Sequence, residues 1–120
     1  MKNTFAFVAA AAASITLSVA QAGTPVSVGF DQRFETVHFA DLDTSNQQGA
    51  AALYQRIRSA ALSVCRDLES SREVWRMQLH AACRDTAITN AVVAVNRPAV
   101  TAYAVAHGVK SSSVVQIARN

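Results

Sequence analysis

The 120-residue sequence predicts a mainly α fold: three helices, a short N-terminal β element and one disulfide. Three observations predict it. Two long stretches repeat apolar residues at helical spacing, and a short stretch before them alternates apolar and polar residues. The chain also has only two cysteines, Cys65 and Cys83, behind an opening segment that reads as an export signal.

In that segment Lys2 supplies the positive start and Thr4 to Ala20 the apolar middle. Ala20-Gln21-Ala22 is the small-x-small signature of a cut between Ala22 and Gly23. A retained span needs ~20 predominantly apolar residues, whereas this stretch is alanine-rich and interrupted by Ser14, Thr16 and Ser18. Residues 1–22 therefore read as a cleaved signal peptide. Residues 23–120 read as one small helical domain, with its core at about 36–107 and a polar tail over 108–120. The expected location is the periplasm or the exterior, with no membrane attachment after cleavage.

The formal charge is +3. Asp67, Glu69, Glu73 and Asp85 interleave with Arg66, Arg72, Arg76 and Arg84, so no one-signed stripe forms. Without such a stripe and exposed aromatics beside it, nucleic-acid binding is not expected.

Val26-Ser-Val-Gly-Phe30 and Thr36-Val-His-Phe39 each alternate apolar and polar residues, as half-buried strands do. Asp31-Gln32-Arg33 could turn a hairpin between them, but a single strand ending near Phe39 is the favoured expectation. Asp41, Asp43, Ser45 and Gln48 form a helix-entry motif, in which Ser45 and Gln48 have the spacing of a capping box. Helix 1 should run from about Asn46 to about Arg66, burying Leu53, Ile57, Ala60, Ala61 and Val64. Ser70 or Ser71 can cap a second helix starting near Arg72. That helix carries Trp75 and Leu79, then Ile88, Val92 and Val95 in register with them, beside a small-residue seam of Ala87, Ala91 and Ala94. Trp75 reads as a core or half-buried anchor. Arg97-Pro98 ends it, because proline disfavours helical geometry in the residue before it and suits the first turn of a new helix. A third helix from Pro98 to about His107 should stop at Gly108. The serine-rich tail beyond reads as frayed or as one edge strand.

Two thiols in an oxidising compartment allow one intramolecular pairing. Closing a loop of nearly twenty residues stabilises by roughly 3 kcal/mol on the chain-entropy account. A tight hairpin turning near Ser70 would set Cys65 opposite about Glu73, not Cys83. A helix starting at Arg72 would place Cys83 roughly 17 Å along it, and residues 66–71 span about 20 Å when extended. So either the connection runs back along helix 2, or residues 72–79 form a separate turn. The competing reading groups Cys65, Cys83 and His80 as metal ligands. It lacks the fourth ligand of a closed zinc site.

Asp41 and Asp43 resemble half a calcium loop, but the further oxygen ligands and the glycine at fixed offsets are missing. Capping and the positive end of helix 1 account for both. The serine runs have no Gly-x-Ser-x-Gly context, and no acid partner is evident for His38, His80 or His107. No catalytic residue, cofactor or metal site is expected.

The pattern Asp41-Leu42-Asp43, Gly49-Ala50, Leu53-Tyr54-x-Arg56-Ile57, Ala60-Ala61, Val64-Cys65, then Ala82-Cys83, Ala87, Ala91-Val92 and Asn96-x-Pro98 resembles the UrcA family of small exported proteobacterial proteins. The resemblance covers the signal and roughly residues 36–107, and is most specific from Asp41 to Cys65. It departs from the family pattern at Thr44, where leucine is common, at Arg66, where glycine often follows the cysteine, and in a longer tail. The resemblance implies a periplasmic or secreted setting and a two-cysteine frame, and brings no catalytic residue or cofactor. The expectation is a non-enzymatic exported protein acting through contacts with a protein partner or in envelope stress. The alternative is a small-ligand or metal-ion binder with Asp41, Asp43 or His80 near an interhelical cleft. A contiguous exposed apolar patch favours the first, and a concavity with convergent polar groups favours the second.

Overall fold

The computed structural model describes residues 24–68 and 72–119. The signal segment, its cleavage residues Ala20, Ala22 and Gly23, and the candidate caps Ser70 and Ser71 lie outside the described residues.

The N-terminal β element is a hairpin. Strands β1 (Val26–Phe30) and β2 (Arg33–Val37) pair antiparallel, with Val26 opposite Val37 and Phe30 opposite Arg33. The second strand thus starts three residues before the expected Thr36 and ends at Val37. Asp31 opens the two-residue turn with φ 57°, a left-handed conformation that aspartate tolerates better than most residues. Val26 and Val28 point inward and Ser27 outward. A lone hairpin is marginal in water. This one gains its support from helix α1 (Gln47–Val64) and helix α2 (Val74–Val95), which pack against it.

Helix α1 buries the expected stripe, Leu53, Ile57, Ala60, Ala61 and Val64, with Ala50 and Tyr54. Helix α2 buries Ala87, Ile88, Ala91, Val92 and Val95 against α1 and β1. Ala94, expected in the small-residue seam, faces solvent. Asn96 ends α2 in a left-handed conformation (φ 51°), and Pro98 opens helix α3 (Pro98–Ala106). Gly108 (φ 108°) closes α3: its N–H donates to the Val105 carbonyl and the Val109 N–H to the Ala104 carbonyl. That crossed pair of bonds is a Schellman stop.

The tail is not frayed and is not a strand. Ser111–Arg119 forms helix α4, which packs against α2, so the described residues hold four α-helices rather than three. Val114 and Ile117, three apart, are half-buried, and Val115 is exposed. This narrow apolar stripe explains why polar composition alone misled: a short helix needs only one such stripe when a neighbouring helix receives it.

Cys65 and Cys83 are bridged, with Cα atoms 6.0 Å apart. After α1 the chain makes a 3-10 turn, Arg66–Leu68, which packs on α2. Residues 74–79 are helical, so the separate-turn alternative falls away. Glu73, rather than a serine, takes the N-cap position. Val64, Cys65, Cys83 and Leu68 form a small second cluster apart from the main core.

Candidate functional site

The helix entry before α1 is a knot of local bonds. The cap is Asn46, whose side-chain oxygen accepts from the Gly49 N–H at 2.8 Å. The expected capping box of Ser45 and Gln48 does not form. Ser45 instead donates its hydroxyl and its N–H to the Asp43 carboxylate, and Asn46 Nδ2 donates to the same group at 3.2 Å. With Asn46 as cap, the reciprocal position of the box is Gly49, which has no side chain to answer. Gly49 is required there: a Cβ would lie 1.7 Å from the Asp43 carbonyl oxygen, because residues 43–44 cross the first turn of α1.

Asp41 is held from a distance. Arg56 on α1 grips it with two parallel bonds, Nη1 to Oδ1 at 2.8 Å and Nη2 to Oδ2 at 2.7 Å, and Nη1 also donates to the His38 carbonyl at 2.9 Å. This fork-to-fork geometry adds direction to the ion pair. The Arg56 hydrogen bonds hold the Asp41 carboxyl down at about 2. Asp43 is also lowered, first by the Ser45 hydroxyl. The arrangement fastens the strand exit to α1. Sequence patterns missed Arg56 because its partner lies fifteen residues away, outside any local period.

The first two turns of α2 are the other conspicuous feature. Val74 is 69% exposed, Trp75 54%, Met77 58% and Leu79 46%. Trp75 is therefore neither core nor half-buried. At about 100° per residue, Trp75 and Leu79 sit more than a quarter turn away from Ile88, Val92 and Val95. Val74 and Met77 continue the core-facing stripe past the end of the core. Val74 begins ~13 Å along the axis before Cys83, so this arm overhangs the bridge. Arg76 lies 5.2 Å from the Trp75 ring centre and pairs with Glu73 at 3.8 Å.

Two clefts have volumes near 670 Å³ each. One runs beside Asp41, Asp43, Thr44 and Pro98. The other lies between α1, α2 and α4 and contains none of Asp41, Asp43 and His80. His80 is half-buried on α2, its buried Nε2 without a hydrogen-bond partner among the described residues. Its neighbours Cys65 and Cys83 are consumed by the bridge. Among the described residues no three His, Cys, Asp or Glu side chains converge, and no helix is long and apolar enough to cross a membrane.

Fold and site define a small, disulfide-stapled, mainly helical protein, and the bridge points to an oxidising, extracytoplasmic location. Searches against protein families, curated proteins and solved structures return no match.

Proposed function

We propose that this chain is a non-enzymatic exported protein of the UrcA type, working in the periplasm or outside the cell by docking a protein partner on the N-terminal arm of α2. The exposed apolar side chains of that arm carry the reading. A helix apolar on opposed faces is normally buried on both, and on this arm both faces are exposed. Trp75, Leu79 and Ala82 are exposed and spaced by four and three residues, the spacing of a helix–helix seam. The occupant is accordingly an apolar-faced helix of another exported protein, with Ala82 leaving room for a large side chain from it. Tryptophan, methionine and arginine together are the residue types enriched in such contacts.

The test places a photo-crosslinking amino acid at Leu79 in the exported protein, with a control at Gln48 on the solvent face of α1. One discrete adduct is expected from position 79, at an apolar helical peptide of the partner. It should disappear with Ala82→Arg. Equal labelling from positions 79 and 48, or an adduct insensitive to Ala82→Arg, contradicts the reading.

A further inference from the structure

A second surface stands apart from the arm. Helix α4 returns alongside α2 after the Gly108 stop and leaves a half-open groove of about 670 Å³ against α1. That volume falls in the range of small-molecule sites, roughly 300–1,000 Å³. Its lining is cationic: Arg58 from α1, Arg84 from α2 and Lys110 from the turn before α4, against one carboxylate, Asp85. Asp85 is already engaged by Arg84 at 3.5 Å. Among the described residues Arg58 and Lys110 have no carboxylate partner. With Arg84 paired to Asp85, the two remaining cations leave the concavity net positive, and its walls focus that potential.

The same groove has an aromatic wall. His107 stacks on Tyr103 at 3.9 Å between ring centres, and Tyr103 meets Tyr54 edge to face at 5.5 Å. Tyr54 and His107 line the groove. The His107 Nδ1–H donates to the Tyr103 carbonyl at 2.8 Å, which fixes the ring and leaves Nε2 for another partner. A flat, pinned ring beside unpaired cations suits a ligand that is planar at one end and anionic at the other.

We infer that the groove between α1, α2 and α4 binds a small organic anion with a planar ring, such as an aryl phosphate or aryl carboxylate. Arg58 and Lys110 hold the anion, and the ring lies against the exposed His107 imidazole. The inference does not depend on the α2 arm. A phosphate monoester carries about −1.5 to −2 charges near neutrality, so phenyl phosphate is the probe.

Amide shifts of the folded protein are followed in titrations with phenyl phosphate, inorganic phosphate and the uncharged benzyl alcohol. Phenyl phosphate should saturate with its largest shifts at Thr86, Lys110 and Ser113, and inorganic phosphate should bind at least threefold more weakly. Arg58→Gln and Lys110→Gln together should weaken phenyl phosphate about tenfold, as expected for two solvent-facing ion pairs. Arg66→Gln, a cation outside the groove, should leave it unchanged. These variants alter exposed side chains, and helical circular dichroism gives an independent check of folding. Failure to saturate at millimolar probe, equal binding of benzyl alcohol, or equal losses from Arg66→Gln and the groove variants overturns the inference.

Discussion

The two halves of α2 are made of similar residues and live in different surroundings. Ala87, Ile88, Ala91, Val92 and Val95 are sealed between α1 and β1, while Val74, Trp75, Met77 and Leu79 stand in solvent. Cys83 marks the boundary. On one side of it the helix is held by packing, on the other by a covalent bond and a few residues around it. Apolar content therefore says little about burial until the length of the neighbouring elements is known. Helix α1 ends at Val64, so it offers the arm no continuation to pack on.

Large-to-small changes sharpen this contrast most. Leu53→Ala, fully buried in the main core, should cost about 2–5 kcal/mol in denaturant unfolding, whereas Leu79→Ala should stay within about 0.5. Replacing both cysteines by alanine should cost roughly 3 kcal/mol. Amide exchange at Val74–Leu79 should quicken more than at Ile88–Val95, since only the arm depends on the bridge. Similar acceleration in both halves would remove the distinction. Gly49→Ala tests the entry to α1: with a Cβ 1.7 Å from the Asp43 carbonyl oxygen, residues 43–44 must move, at about 1–3 kcal/mol, and the melting temperature should drop.

The smallest effect concerns acid. The folded Asp41 carboxyl sits at about 2, lowered from 3.8 by Arg56. A depressed acid stabilises the fold above its unfolded pKa, and the gain is lost as pH falls from the upper value through the lower. The Arg56 clamp should thus weaken between about pH 5 and pH 2. Asp41→Asn should flatten that part of the stability curve, measured by thermal melts across the range. An unchanged curve would mean that the clamp contributes no folding energy.

Local signals in the sequence translated well into structure. The stripe of α1, the start of α3 at Pro98 and its stop at Gly108 each depend on residues within one turn of each other. The bridge was legible because two cysteines admit one pairing. What escaped depended on competition or distance. Asn46 replaces Ser45 as cap because Asp43 recruits the serine first. Arg56 finds Asp41 across fifteen residues. Helix α4 forms on a stripe of Val114 and Ile117 that has no meaning until α2 is beside it. Trp75 and Leu79 kept a helical period with the core residues but not their phase.

Trp75 is the chain's single tryptophan, so its fluorescence reports on the arm alone. Acrylamide quenching of the oxidised, folded protein, at a concentration where light scattering gives a monomer, addresses the central claim directly. An arm that is helical, stapled and bare predicts quenching approaching that of the reduced, denatured chain, together with intact helical circular dichroism. A tryptophan strongly protected from quencher in the monomer would place the arm inside the fold and contradict the account.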